Sequence, residues 1–441
     1  MSQLPQDEPQ PNQTPSLHLH AELLPNIRQL TLYISVPPNT PRSDLQITLS
    51  DSRRAVTVTT SSDTKHDDPS STSETIKLPA RVSESSRRIL QQQPPSTQSE
   101  SEYSFRMQVD DDDTSLHKDE STLNDGFIPW TATDMSAHTR LRCVKCHSLI
   151  LDEGKVWKDL PSGNWAEMMD FWHCHKPDPP EEEKNKGGED PNAVVKGYGA
   201  GNQLVAIEGT VLVDVTSFLV KGVDCLGVEE TKVPSKKSTP TQPDRDTNTE
   251  PEPTILTCKS CTTQLGLPDP IANGYRLFKT SLSANHSPNP SSSSSSSSPS
   301  PEETSTWESH PPETILTAQL LELIERESYR RFVIHCGANE GLLIWPFNPS
   351  LRYSTTSASH STAAQLAMKV FYQHIDNVEE VLHPEAGKGN QSLAIEEVRL
   401  PGEDAYRELV GVLEERNGML PASARVFREW RVGLLWRFER R

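Results

Sequence analysis

The sequence predicts an α+β, β-rich fold: an N-terminal antiparallel β domain, a middle region built on paired-cysteine knuckles and an α+β C-terminal region, with disordered linkers. Three observations predict it. Short alternating apolar segments recur between Asn26 and Val109, bounded by Ser, Asp and Pro clusters, as in antiparallel strands with one polar face. Two C-x-x-C pairs, Cys143–Cys146 and Cys258–Cys261, mark the middle. In the last third, Leu316, Leu320, Leu323 and Ile324 repeat at helical spacing among strand-like runs.

Bulk composition limits how much of the chain folds. Of 441 residues, 36 are proline and only 33% are hydrophobic, so parts of the chain bury too little apolar surface to offset ordering entropy. The formal charge of −19 disfavours direct nucleic-acid binding, which rests on clustered Lys and Arg. No apolar run approaches the ~20 residues that span a bilayer, so no membrane partner is expected. The opening "MSQLPQDEPQPNQ" has neither a basic nor an apolar leader segment. With seven cysteines, four of them in C-x-x-C pairs, the expectation is a cytoplasmic and/or nuclear protein.

Each element follows in order. Residues 1–20, rich in Pro, Gln and Asp, read as a disordered tail. Residues 21–127 read as the β domain, with strands in "IRQLTLYISV", "LQITLS", "AVTVTTSS", "ETIKLPARV" and "YSFRMQV" and loop inserts between them. Residues 128–282 form the middle region, with strand character in "NQLVAIEGTVLVDVTSFLV" and "NGYRLFKTSL", an acidic loop, and a polar insertion over 229–253. Residues 283–312 are a Ser/Pro-rich linker. Residues 313–441 are the α+β region: one helix on the Leu316 stripe, strands in "RRFVIHC", "GLLIWPF" and "AMKVFYQHI", a second helix over Asp404–Glu415, and a closing strand in "WRVGLLWRF".

The cysteine pairs carry the clearest chemistry. Thiolates are natural zinc ligands, and a two-residue spacer lets both sulfurs of a pair reach one ion. Cys143, Cys146, Cys258 and Cys261 together supply the four sulfurs of a closed tetrahedral site, which predicts one structural Zn2+ and makes the middle a zinc-knuckle region. The long chain between the pairs is then an insertion, tolerable because loop-closure entropy grows slowly with length. Unrelated free thiols and a redox pair are the competing readings, the latter without βαβ context. No phosphate-cradling loop or dinucleotide fingerprint is present.

A second cluster is "NWAEMMDFWHCHKPDPP", which sets Cys174 between His173 and His175, after Trp165 and Trp172. Cys174 is open to three readings: a substitute metal ligand, a nucleophile with an imidazole neighbour, or an exposed soft ligand offered to a partner's metal. Asp170, Asp178 and Glu181–Glu183 surround it with negative charge, which raises a thiol pKa.

These residues in combination resemble the HECT-like ubiquitin ligases that bind ubiquitin-conjugating enzymes, a family with an animal member and fungal relatives. The resemblance rests on the first C-x-x-C, Asn164-Trp165 followed by Trp172-x-Cys174-His175 and Pro177-Asp178-Pro179, the second C-x-x-C with Leu265-Gly266, and Leu420-Pro421-Ala422-Ser423. It runs from about Leu78 to the C-terminus. It implies an E3 ubiquitin-protein ligase that accepts ubiquitin from a ubiquitin-conjugating enzyme and passes it to substrate lysines for proteasomal degradation, with Cys174 the candidate catalytic thiol. It also implies a partner-binding role for Trp165, Trp172, His173, Cys174 and His175. Relatives are tied to mRNA 3′-end processing, which gives the alternative: a non-catalytic inhibitor or chaperone of the cleavage endonuclease, with Cys174 meeting that enzyme's zinc.

Two departures stand out. His173 fills the slot before the cysteine, and Lys176 is inserted ahead of Pro177-Asp178-Pro179. A HECT domain also carries its thioester cysteine shortly after a Leu-Pro stretch, whereas "LPASARVFREW" has none. A HECT-type thioester here would need Cys174, Cys225 or Cys336.

Overall fold

The computed structural model describes residues 17–38, 40, 44–60, 72–91, 101–113, 127–160, 204–233, 254–285, 307–357, 360–384 and 395–440. Its first part holds β1 (His18–Leu24), β2 (Gln29–Ser35), β3 (Leu45–Leu49), β4 (Ala55–Thr60), β5 (Thr72–Lys77), the short helix α1 (Ser86–Gln91) and β6 (Glu102–Gln108). All five strands expected here form. In β2 and β4 burial alternates residue by residue, so their Leu, Ile and Val side chains share one face. That face of β1, β2 and β6 packs on the three-stranded β3-β4-β5 sheet through Leu19, Leu32, Phe105, Val56, Val58 and Ile76.

The expected disordered tail needs correction at its end. His18, His20 and the residues between and after them form β1, which is buried along its length. It lies between β2 and a strand over three hundred residues later, with His20 opposite Tyr33 on one side and Thr355 on the other. Its alternate positions are polar, and their partners are distant in sequence, so a local pattern does not reveal it.

The middle holds β7 (Arg140–Cys143), β8 (Leu149–Leu151), β9 (Val156–Asp159), β10 (Thr210–Val213), β11 (Ser217–Val220), β12 (Val228–Lys232), β13 (Thr254–Cys258), β14 (Gln264–Asp269), β15 (Gly274–Phe278) and β16 (Leu282–Asn285). They form a seven-stranded sheet, β12-β13-β14-β15-β11-β10-β9, and a four-stranded sheet in which β16 and β7 pair. Gly266 of the Leu-Gly motif lies against β15, where an added Cβ would stand 2.0 Å from the Arg276 carbonyl oxygen. Only glycine permits that approach. Part of the expected polar insertion is strand, because Val228–Lys232 pairs with β13 as an exposed edge.

The last part contains β17 (Trp307–Glu308), α2 (Pro312–Glu327), β18 (Arg331–His335), β19 (Gly341–Ser357), β20 (His360–Ile375), α3 (Val378–Leu382), β21 (Ile395–Arg399), α4 (Glu403–Met419), β22 (Val426–Phe427) and β23 (Trp430–Trp436). Both expected helices and all four expected strands form. Helix α2 starts on Pro312, whose missing N–H is no loss in a first turn, and ends at Ser328 in the left-handed conformation. Strand β19 runs well past the expected "GLLIWPF": Pro346 and Pro349 are absorbed at bulges rather than ending it. Within the sequence-expected linker, Ser283–Asn285 belong to β16 and Trp307–Glu308 pair with it.

One nine-stranded sheet joins the N-terminal and C-terminal parts, because β1 pairs with β19. Its main path is β22-β23-β20-β19-β1-β2-β6. Alternate residues of β19, β20 and β23 serve two cores. Leu342, Ile344, Met368, Val370 and Leu435 pack under α2 and α4, while Leu351, Ala367, Phe371, Val432 and Leu434 meet Leu420 on the other face. The sheet curls far enough that Glu102 of β6, at one end, bonds the hydroxyl and N–H of Ser423, just before β22 at the other.

Candidate metal centre

Two matching turns build the site. Cys143 ends β7 and Cys146 lies in the turn to β8; Cys258 ends β13 and Cys261 lies in the turn to β14. In the first turn the His147 N–H donates to the Cys143 carbonyl (3.0 Å) and the Cys143 N–H to the Ser148 carbonyl (2.9 Å). In the second, Thr262 donates to Cys258 (2.8 Å) and Cys258 to Thr263 (2.9 Å). His147 and Thr262, the residues after each second cysteine, both take left-handed backbone, with φ of 62° and 58°. The two knuckles are local copies, so each presents its sulfurs alike.

The sulfurs converge. All four Sγ atoms lie within 4.8 Å of one another, with Cys143 to Cys261 at 3.7 Å and Cys146 to Cys258 at 3.5 Å. Tetrahedral zinc with bonds of about 2.3 Å sets sulfurs about 3.8 Å apart. The donor set therefore fits one tetrahedral metal ion held by Cys143, Cys146, Cys258 and Cys261. An ion here would tie the four-stranded sheet of β7 and β8 to the seven-stranded sheet of β13 and β14.

The surroundings divide the thiols in two. Cys143 and Cys258 are fully buried. Burial pushes the Cys143 thiol up to about 12 and raises Cys258 as well. The Ser148 hydroxyl, 3.3 Å from Cys146 Sγ, and the Ser148 backbone hold Cys146 down at about 6. Thr263 stands beside Cys261 in the same way, at 3.2 Å, and the Ser148 and Ser260 hydroxyls bond across the knuckles at 2.9 Å. Sequence reasoning missed Ser148 and Thr263. Their signal is plain afterwards: each sits two places after the second cysteine of its pair.

The other candidate thiols sit elsewhere. Cys225 packs beside the middle core, and burial with Asp224 nearby pushes it up to about 12. Cys336 is half-buried just past β18. Its neighbour His335 has both ring nitrogens engaged, Nδ1 accepting from the Gly337 N–H at 3.2 Å and Nε2 against Glu397 at 2.8 Å, so it is no free base for Cys336. Trp165, Trp172, His173, Cys174 and His175 lie outside the described residues.

A strand-rich chain in which two paired-cysteine knuckles from different sheets converge defines a class: β-rich, with a four-sulfur donor set that could hold one metal ion. The comparisons place it further. Residues 22–432 match the family described as HECT-like ubiquitin-conjugating enzyme (E2)-binding, and the chain belongs to that family. An uncharacterized protein of Schizosaccharomyces pombe is 26% identical over 325 residues, covering 71% of this chain and 78% of that one. An uncharacterized protein of Saccharomyces cerevisiae is 23% identical over 310 residues, covering 69% and 71%. No solved structure matches the chain.

Proposed function

We propose that the protein is an E3-type factor of ubiquitin conjugation: it binds a ubiquitin-conjugating enzyme and promotes ubiquitin transfer to substrate lysines, with one structural Zn2+ on Cys143, Cys146, Cys258 and Cys261. The observation that carries this reading is the family match, which extends over the knuckles and the nine-stranded sheet alike. The metal's part is to hold the fold, because four protein sulfurs leave no open coordination position for chemistry. In this reading Trp165, Trp172, His173, Cys174 and His175 contact the partner.

Transfer through the protein itself requires a thiol that can exchange with the enzyme-bound thioester. The knuckle sulfurs are taken by the metal, and the pKa of Cys225 keeps it a thiol near neutral pH. Cys174 and Cys336 remain as acceptors. Mixing the full chain with a ubiquitin-charged conjugating enzyme should give a stable complex and a reducible ubiquitin adduct that Cys174→Ala abolishes and Cys336→Ala spares. A complex with no adduct would remove the transfer step; no complex with any conjugating enzyme tried would remove the reading. The alternative, a clamp on the zinc site of the mRNA 3′-end endonuclease, predicts no adduct and an endonuclease complex weakened by Trp172→Ala.

A further inference from the structure

On the face of the curled sheet away from α2 and α4, a row of rings runs out to the surface. Phe371 of β20 is buried and touches two other phenylalanines. Its ring centre lies 4.9 Å from that of Phe347 in β19 and 4.8 Å from that of Phe427 in β22, the second pair parallel to within 9°. Trp345 stands edge-on to Phe371 at 5.4 Å and to Trp430 at 6.1 Å. The outer rings are open: Phe347 is 53% exposed, Phe427 43%, and Val426 beside it 59%.

Local devices set these rings. Phe347 is the residue left without a partner in the β19–β20 ladder, between Pro346 opposite Val370 and Asn348 opposite Lys369. A bulge of that kind re-aims a side chain. Arg428, left-handed with φ of 55°, turns β22 back on β23 and sets Phe427 opposite Trp430. Scattered exposed apolar residues are ordinary, but a contiguous patch of large rings marks a contact surface.

The charges beside the rings narrow the partner. The Arg331 guanidinium lies 5.7 Å from the Trp345 ring centre and 5.8 Å from that of Trp430, and Arg428 lies 5.5 Å from that of Phe427. Neither arginine meets a carboxylate among the described residues, although acids outnumber Lys and Arg by 62 to 43 in this chain. The nearby Glu429 already accepts from Trp430 Nε1 at 3.1 Å. Rings with arginine are the composition of interface centres, and an unpaired guanidinium beside them favours an incoming carboxylate.

We propose that this face is a docking surface for an acidic, apolar segment of a partner protein: one large aliphatic or aromatic side chain seats against Phe347 and Phe427, and neighbouring Asp or Glu side chains meet Arg331 and Arg428. Stacking rings with arginine also suit single-stranded nucleic acid, but that needs a cationic groove tracking the backbone, and here Glu429 sits between Arg428 and Trp430 in the turn. The surface shares no element with the metal centre, and it stands whether or not ubiquitin transfer does.

Panning the full chain against displayed random peptides, then titrating the enriched ones by fluorescence polarisation, tests this. Enriched peptides should carry Leu, Ile, Met, Phe or Trp close to Asp or Glu. Their affinity should fall as salt rises. Phe347→Ser and Phe427→Ser, both at exposed positions, should each weaken binding about tenfold, and Arg428→Glu by about as much. Circular dichroism checks that each variant is folded; should one fail, the other two decide. No enrichment, enriched peptides without acids, or binding that survives the substitutions would overturn the proposal. Tighter binding of a labelled oligouridylate, lost in the same variants, would overturn it in favour of RNA. Concentration-dependent dimers dissolved by Phe347→Ser would overturn it in favour of a second copy of this chain.

Discussion

The middle region and the curled sheet solve the same problem by different means. In the middle, β7, β8, β9, β10 and β11 have only three or four residues each. Strands that short bury little apolar surface, and the two middle sheets meet where Cys143 and Cys258 are themselves part of the core. In the curled sheet β19 and β20 have 17 and 16 residues, both faces are covered, and helices α2 and α4 close one side. One region gathers four cysteines that could hold a metal staple, as small cores generally require, and the other is held by area.

The largest test of that contrast is metal removal. The purified chain should carry one zinc. Stripping it with a chelator, or Cys258→Ser, should cost the middle region on the order of 10 kcal/mol. Hydrogen exchange should then show lost protection across β7–β16 while β19 and β20 stay protected. Uniform loss across both regions, or none, would break the comparison.

Next comes the joint that holds α2 and α4 to the last strand of the curled sheet. Glu313 is 4% exposed and accepts from Arg416 and from the Trp436 N–H (2.9 Å). Arg416→Met leaves that carboxylate buried and unpaired, which should cost about 3–5 kcal/mol. Urea unfolding of the metal-loaded chain should show the loss, with zinc content unchanged.

The same sheet holds a pH device. Burial raises the pKa of Glu22, but Lys369 and His20 more than offset it and hold the carboxyl down at about 2. A carboxyl depressed in the fold stabilises above its unfolded value near 4.5 and loses that contribution as pH falls toward 2. The term is on the order of 3 kcal/mol. Melting temperature should therefore fall between pH 4.5 and 2, and less steeply in Glu22→Gln. A slope indifferent to the substitution would assign acid sensitivity elsewhere.

How much of this was readable from sequence follows the same divide. The metal centre was legible because its signal is local: spacing within each C-x-x-C fixes the geometry of each knuckle, and only the pairing of the knuckles is long-range. The strands β2 to β6 and the apolar stripe of α2 were legible for the same reason. Strand β1 was not. His18, His20 and Glu22 look like surface positions until Lys369 and Thr355, far along the chain, are set against them. The reach of β19 beyond Pro346 was hidden too, since a proline signals a strand's end unless a bulge absorbs it.

The smallest expected effect is also the sharpest probe of the knuckles as copies. His147 and Thr262 occupy equivalent left-handed positions, where a β-carbon costs about 1 kcal/mol and glycine adapts freely. Yet the Thr262 hydroxyl donates to the Cys261 carbonyl at 2.7 Å, a contact that replacement would forfeit. His147→Gly should therefore stabilise the loaded protein by about 0.5–1 kcal/mol, read as slower zinc release to a chelator. Thr262→Gly should give less than half of that, because the lost hydrogen bond offsets the relieved backbone. Equal gains would mean that the Thr262 contact contributes nothing. A faster release from His147→Gly would mean that the histidine itself secures the first knuckle, and the two turns would then be alike in shape but not in how they are held.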